Sequence, residues 1–195
     1  YPVRLWDLRT CTPLGEDLPL EAGAGGVRAA ALARDEEGGV WVASGAENGM
    51  VNLFRVDAAG QWTPACSGTW HKQIVQDLAF SPDARLLATA SEDGRVALIE
   101  LTGGACGEPR YLEPQAGPAT RVRFTPDGRT LITASGEGDA QVWTRDGTLL
   151  ARLSGHKARI LSLDVSPDGR WLLTASRDGT VRLWPRPTQV QAEAL

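Results

Sequence analysis

The sequence is poor in the residues that most often carry chemistry: 195 residues include three cysteines, two histidines and one methionine. Cys11, Cys66 and Cys106 stand far apart, no C-x-x-C pair occurs, and His71 and His156 lie in different halves of the chain. This scarcity predicts neither a zinc site nor a disulfide framework, and it favours a reducing, cytoplasmic setting. No metal and no cofactor is expected. No apolar run approaches the roughly 18 residues of a membrane span, and no basic stretch followed by an apolar one opens the chain, so a membrane is not an expected partner. An excess of one charge is missing too, because 20 basic and 24 acidic residues leave a formal net charge of −4. That balance disfavours nucleic acid as a partner, and nucleic-acid binding stands as an alternative function rather than the leading one. Nor does any segment sustain the 3.6-residue apolar period of an amphipathic helix.

What is present is a repeat. The segment "SPDGRWLLTASRDGTVRLW", Ser166 to Trp184, reads as turn, strand, turn, strand. Proline at the second turn position has its φ preset, aspartate bonds its own downstream backbone, and glycine tolerates positive φ, so "SPDG" specifies a turn by mechanism. The flanking runs are short and rich in Val, Leu, Thr and Trp, which suits pleated strands. The same grammar returns in "TPDGRTLITASGEGDAQVW" (Thr125 to Trp143), in "SPDARLLATASEDGRVALI" (Ser81 to Ile99) and, more faintly, in "GGVWVASGAENGMVNLF" (Gly38 to Phe54). "VRLWD", Val3 to Asp7, matches only the last strand of a unit.

The residues that end each unit are Trp6, Phe54, Ile99, Trp143 and Trp184, spaced 48, 45, 44 and 41 apart. A period of roughly 40–45 residues with about four short strands per copy is that of a β-propeller blade. An upstream strand in each unit carries a pair of apolar residues at i, i+2: Ala30 and Leu32, Leu78 and Phe80, Val122 and Phe124, Leu163 and Val165. Each pair is expected to share one buried face. Outer fourth strands are expected at "GTLLARLS" (Gly147 to Ser154) and "EPRYLEP" (Glu108 to Pro114). The fold class is all-β.

Gly155-His156, Ser166-Pro167-Asp168-Gly169, Ser176-Arg177-Asp178-Gly179 and Val181-Arg182-Leu183-Trp184, together with the dipeptide Trp6-Asp7, resemble the WD40 repeat. The resemblance covers four full copies and one partial copy, and it implies a WD40 β-propeller. The expected divisions are 1–22 (the end of a preceding blade), 23–66, 67–112, 113–154, and 155–195 with a C-terminal tail. Rings of this family typically hold seven blades and need roughly 300 residues, so the expectation is the C-terminal part of a longer propeller. The alternative is two copies closing an eight-bladed ring, and self-association through open blade edges is anticipated.

The resemblance also implies a hydrogen-bonded tetrad of His, Ser/Thr, Asp and Trp. The last unit carries all four as His156, Thr174 (or Ser176 on the same strand face), Asp178 and Trp184. The unit before the middle carries His71, Thr89 and Asp93, with Ile99 in place of Trp. The third full unit keeps Thr133 and Trp143 but has Gln115 and Glu137 at the other two places, and the first has Gly23, Ser44, Asn48 and Phe54. The chemistry agrees: an indole donates, a hydroxyl accepts and donates, imidazole bridges and carboxylate accepts.

Sharper readings are weaker. A hydrolase using His156 and Asp178 has the right residue types, but its hydroxyl lies mid-strand, with no G-x-S-x-G elbow. "AGAGG" (Ala22 to Gly26) lacks the Lys-Ser/Thr of a phosphate loop and reads as linker. "DEEGG" (Asp35 to Gly39) lacks the alternating acids of a cation loop and reads as a solvated turn. Of the seven tryptophans, Trp6, Trp143 and Trp184 are expected in the core. Trp41, Trp62, Trp70 and Trp171 are divided between blade packing and solvent.

The resemblance implies a non-catalytic platform that binds other proteins. Its contact positions map to Glu47, Glu92, Gly136 and Arg177, which precede the turn acid, and to Gln73, Arg121 and Arg159 at strand entries. Their mixed charge predicts a polar, salt-sensitive interface. The connection "TPLGEDLPL" (Thr12 to Leu20) and the Ala/Gly/Arg-rich usage resemble bacterial WD40 arrays. Fusion to a signalling NTPase or Ser/Thr kinase is what that likeness implies.

Overall fold

A computed structural model describes residues 3–14, 17, 25–57 and 61–186. The tail beyond Arg186, Gly23 and parts of the segments 1–22 and Ala22 to Gly26 lie outside the described residues. A short antiparallel hairpin, β1 (Leu5–Asp7) and β2 (Thr12–Leu14), precedes four antiparallel sheets. The first is β3 (Val27–Arg34), β4 (Val40–Ala46), β5 (Met50–Val56) and β6 (Trp62–Thr69) in chain order. The second is β7 (Val75–Phe80), β8 (Leu86–Ser91) and β9 (Val96–Thr102), with β10 (Ala105–Cys106) and β11 (Arg110–Tyr111) both on β9. The third is β12 (Ala119–Phe124), β13 (Thr130–Ser135), β14 (Ala140–Thr144) and β15 (Leu149–Leu153). The fourth is β16 (Ile160–Val165), β17 (Trp171–Ser176) and β18 (Val181–Pro185). No helix among the described residues is long and apolar enough to cross a membrane.

The sheets stack face to face as the blades of an open, partial propeller. Each has a leading face toward the sheet before it and a trailing face toward the sheet after it. Val75, Leu78, Leu87 and Ile99 lead the second sheet onto Trp41, Ala43, Val51 and Leu53 of the first. Ala119, Val122, Leu131 and Trp143 lead the third onto Ala88, Ala90, Val96 and Leu98. Ile160, Leu163, Leu172 and Trp184 lead the fourth onto Ile132, Ala134, Ala140 and Val142. Gly45 permits the first of these contacts, since a Cβ there would stand 2.5 Å from Val75 Cγ1.

The turn between the first two strands follows the sequence chemistry. Ser81, Thr125 and Ser166 hydroxyls donate to Asp83, Asp127 and Asp168 at 2.6, 2.6 and 2.5 Å. Gly128 and Gly169 take φ of +66° and +69°, and Ala84 is held at +52° in the same place. Such a φ costs a residue with a Cβ about 1 kcal/mol or more.

Several expectations change. Cys66 on β6 and Cys106 on β10 form a disulfide, against the reading of the cysteine spacing. Their separation of 40 residues is about one repeat, so they meet on neighbouring outer strands. Cys11 is free and exposed. The outer strand expected across "EPRYLEP" is split, with β10 and β11 sharing β9. In the first sheet Ala29, Ala31 and Ala33 pack against the core, while Leu32 is 69% exposed. The reason is that Ala30 and Leu32 lie on the leading face, which no full sheet covers among the described residues. Trp6 is 51% exposed on the two-stranded hairpin. Trp143 is fully buried, and Trp41 is buried as a blade-packing residue.

Candidate functional site

In the fourth sheet the four expected residues meet. Trp184 Nε1 donates to Thr174 Oγ1 at 2.9 Å, and Thr174 Oγ1 lies 2.8 Å from His156 Nε2. His156 Nδ1 is 3.0 Å from Asp178 Oδ2. A carboxylate only accepts, so this network assigns the proton to Nδ1 and leaves Nε2 to accept from the threonine hydroxyl. Thr180 adds a hydroxyl 3.0 Å from Nδ1, which the sequence reading did not include. Thr180 Oγ1 and the Lys157 N–H both donate to Asp178 and hold its carboxyl well below the usual range. Ser176, the other candidate hydroxyl, instead donates to Ala158 O at 2.8 Å and accepts the Asp178 N–H.

The second sheet repeats the arrangement without the indole. His71 Nε2 sits 2.7 Å from Thr89 Oγ1, and Nδ1 sits 3.2 Å from Asp93 Oδ2. Burial pushes the imidazole pKa down. Burial also opposes ionisation of Asp93, but the N–H groups of Lys72 and Arg95 and the nearby imidazole hold that carboxyl below its ordinary value. Tyr111 of β11 packs edge-on to His71, with ring centroids 6.3 Å apart. Its hydroxyl donates to Trp70 O at 2.6 Å, and Arg95 lies 5.3 Å over its ring. No sequence signal marked Tyr111, because its strand is two residues long.

The third sheet keeps a fragment of the network. Trp143 Nε1 donates to Thr133 Oγ1 at 3.0 Å, and Thr133 donates to Gln115 Oε1 at 3.2 Å. Gln115 Nε2 is buried without a partner, and Glu137 is exposed. In the first sheet Ser44 Oγ is likewise buried and unpartnered, while Asn48 Oδ1 accepts the Met50 N–H.

This geometry does not offer a nucleophile. Thr174 is fully buried, sits mid-strand opposite Leu163 and Arg182, and its oxygen already receives the indole N–H. Among the described residues no group of three His, Cys, Asp or Glu side chains could hold a metal ion. Asp35 of "DEEGG" forms a short ion pair with Arg55, which also stacks on Trp41 at 4.8 Å, so this acid closes a turn.

Backbone hydrogen bonds tie down several of the positions expected to meet partners. The residue before each turn acid donates its N–H to a first-strand entry: Glu47 to Gly26, Glu92 to Ile74, Gly136 to Pro118 and Arg177 to Arg159. The carbonyls that accept in the second and third sheets are those of Ile74, one residue past Gln73, and Pro118, three before Arg121. Arg121 donates to its neighbour's carbonyl at Thr120, and Gln73 is exposed. Glu47 is ion-paired to Arg28 at 3.3 Å. Glu92 accepts from Gln76 Nε2 at 2.7 Å and pairs with Arg159 at 3.5 Å across two sheets. The Arg177 side chain is exposed and shows no partner among the described residues.

A family model for the WD domain, G-beta repeat, matches residues 62–100, 110–144 and 147–185, together more than half of the chain. The chain belongs to the WD40-repeat family. Among curated relatives of this WD40 chain, a Drosophila melanogaster protein named LST8 homolog is 31% identical over 159 residues, covering 75% of this chain and 46% of its own length. The COMPASS component SWD3 of Saccharomyces cerevisiae is 31% identical over 98 residues, covering 50% of this chain and 30% of its own. The target of rapamycin complex subunit wat1 of Schizosaccharomyces pombe is 28% identical over 142 residues, covering 72% and 42%. The WD40 chain therefore spans less than half the length of each of these relatives.

Proposed function

We propose that this WD40 chain is a non-catalytic scaffold that holds protein partners on the rim formed by the turn acids and first-strand entries. The carrying observation is Arg177, an exposed cation with no side-chain partner among the described residues, set where Glu47 and Glu92 are taken up by ion pairs. Two of the relatives above are named as components of protein complexes, which supports the same reading. A partner presenting carboxylates near Arg177, Lys157 and Gln73 fits the rim, and such a contact weakens as salt rises. The test is co-purification of the tagged chain from its native cells at low salt. Arg177→Glu should remove a partner that the wild type retains, with the unfolding midpoint unchanged. If the variant keeps every partner, this reading fails.

The hydrolase reading is tested by His156→Ala, which should lose stability while neither form cleaves ester, peptide or phosphoester substrates. A role in signalling is part of the proposal, and the partner's identity decides it. A cytoplasmic setting is set against by the Cys66–Cys106 bond, because such bonds persist in oxidising compartments. Alkylation of freshly lysed native cells followed by mass measurement decides between them.

A further inference from the structure

Among the described residues, the second sheet alone has an outer edge made in two pieces: β11 pairs with Ala97 and Leu98 of β9, and β10 with Leu101 and Thr102. The β10 piece is a short hairpin. Gly103 and Gly104 turn the chain with φ of +60° and +83°, as a two-residue hairpin turn demands. A Cβ on either glycine would meet nothing within 4 Å, so the turn projects clear of the fold. Its root is fixed, because Leu101 N–H donates to Arg85 O at 2.9 Å and Gly107 N–H to Glu100 O at 2.8 Å. Between those roots stand two ladder pairs, Ala105 with Thr102 and Cys106 with Leu101, too few to hold a hairpin in water. What fastens it to the first sheet is covalent: the bond from Cys106 to Cys66 on β6.

The core beneath does not depend on this element. The second sheet meets the first through Val75, Leu78, Leu87 and Ile99 against Trp41 and Leu53, all at most 4% exposed. Both cysteines lie at the margin of that cluster, half-buried rather than sealed, so a thiolate from solvent has a path to the sulfurs. The hairpin turn, with Trp41, Arg55 and Asp35, lines a cleft of about 390 Å³ between the two sheets. The bond therefore fixes a movable wall of that cleft.

We propose that the Cys66–Cys106 bond is a reducible clasp: oxidised, it holds the β9–β10 hairpin to β6 along the cleft beside Trp41, and reduced, it frees the hairpin while the sheets stay packed. The reductant is an external dithiol. One of its thiolates attacks one sulfur of the bond, and the other sulfur leaves as a thiolate and takes a proton. The second thiol of the dithiol then displaces the mixed disulfide, so Cys66 and Cys106 end as thiols, two electrons and two protons richer, and the dithiol ends as a disulfide. Glutathione disulfide runs the exchange in reverse. The clasp lies away from Arg177 and stands independently of the reading built on it.

The test treats the full 195-residue chain with dithiothreitol in the absence of denaturant, followed by intact mass and hydrogen exchange. The bond should open, and the Cys106 and Gly107 amides should exchange at least about tenfold faster, while those of β4 and β8 change by less than about twofold. Cys66→Ser combined with Cys106→Ser should show the same pattern without reductant, which separates the clasp from any effect at Cys11. Glutathione disulfide should restore both the mass and the protection of the reduced wild type. A bond that resists dithiothreitol until denaturant is added overturns the proposal, since it is then a permanent staple. Loss of protection across β4 and β8 on reduction also overturns it, because the bond is then holding the core. Unchanged exchange at Cys106 and Gly107 after reduction does so too, because the hairpin then stands without the bond.

Discussion

The third and fourth sheets set the same three strands in the same register around different polar centres. In the fourth, Trp184, Thr174, His156 and Asp178 satisfy one another in sequence. In the third, Gln115 stands for the histidine and leaves its Nε2 orphaned, yet Trp143 still packs, fully buried, on the second sheet. The difference teaches that the blade is built by its apolar faces, and that the polar centre is an added lock. A lock of four parts is also the more fragile arrangement, because removing one part strands the others in a dry interior.

The largest break follows from that asymmetry. His156→Ala should cost about 3 kcal/mol, by opening a void and leaving Thr174 and Asp178 without their bridge. Denaturant unfolding measures it, and a loss under about 1 kcal/mol would place the fourth sheet with the third.

Acid should separate the second sheet from the third by a smaller amount. The His71 pKa is lowered in the fold, chiefly by burial, from an ordinary 6.5. The unfolded chain therefore binds the proton first, and the stability this group contributes is present above 6.5 and lost as pH falls below it toward the folded value. Asp93, held low, contributes stability that goes only at more acid pH, as it falls through the carboxylate range. The protection factors of amides along β8, corrected for the intrinsic slowing of exchange in acid, should fall between neutral pH and mild acid, while those of β13, beside Gln115, stay flat over the same range.

Gln115→Leu sharpens the contrast from the other side. Removing the amide relieves its unpaired Nε2 but strands the buried Thr133 hydroxyl that donates to its Oε1, so the change should cost about 1 kcal/mol, well below the loss at His156 and read as a lowered denaturation midpoint. Smallest of all, Arg177→Ala should move stability by less than about 0.5 kcal/mol, because the side chain is exposed and has no hydrogen-bond or ion-pair partner among the described residues. A larger loss would give that arginine a structural duty and weaken its assignment to a partner.

Much of this was legible in the sequence because turn chemistry and period act locally. "SPDG" forms its own hydrogen bonds whatever surrounds it, so the strands could be placed by spacing, and the resemblance to the WD40 repeat carried the tetrad of His156, Thr174, Asp178 and Trp184 onto them. Contacts between repeats were harder to read. Cys66 and Cys106 stand about one period apart, so the repeat itself held the signal, but only if outer strands of adjacent sheets were known to touch. Ala30 and Leu32 have the pattern of a buried pair, yet burial depends on which neighbour covers the leading face. Arg145 and Arg186 recur two residues past a tryptophan, and that regularity acquires meaning only when their ion pairs to Asp83 and Asp127 of the preceding sheets are seen.

The bond between Cys66 and Cys106 also has a mechanical side. It encloses β7, β8 and β9, so a pull on the two ends of the chain passes through the sulfurs and bypasses the loop between them. With a separation of 40 residues, about 140 Å of contour stays out of reach until the bond is reduced. Under load the oxidised chain should yield in shorter steps, with the second sheet shielded like a link spanned by a rigid bar.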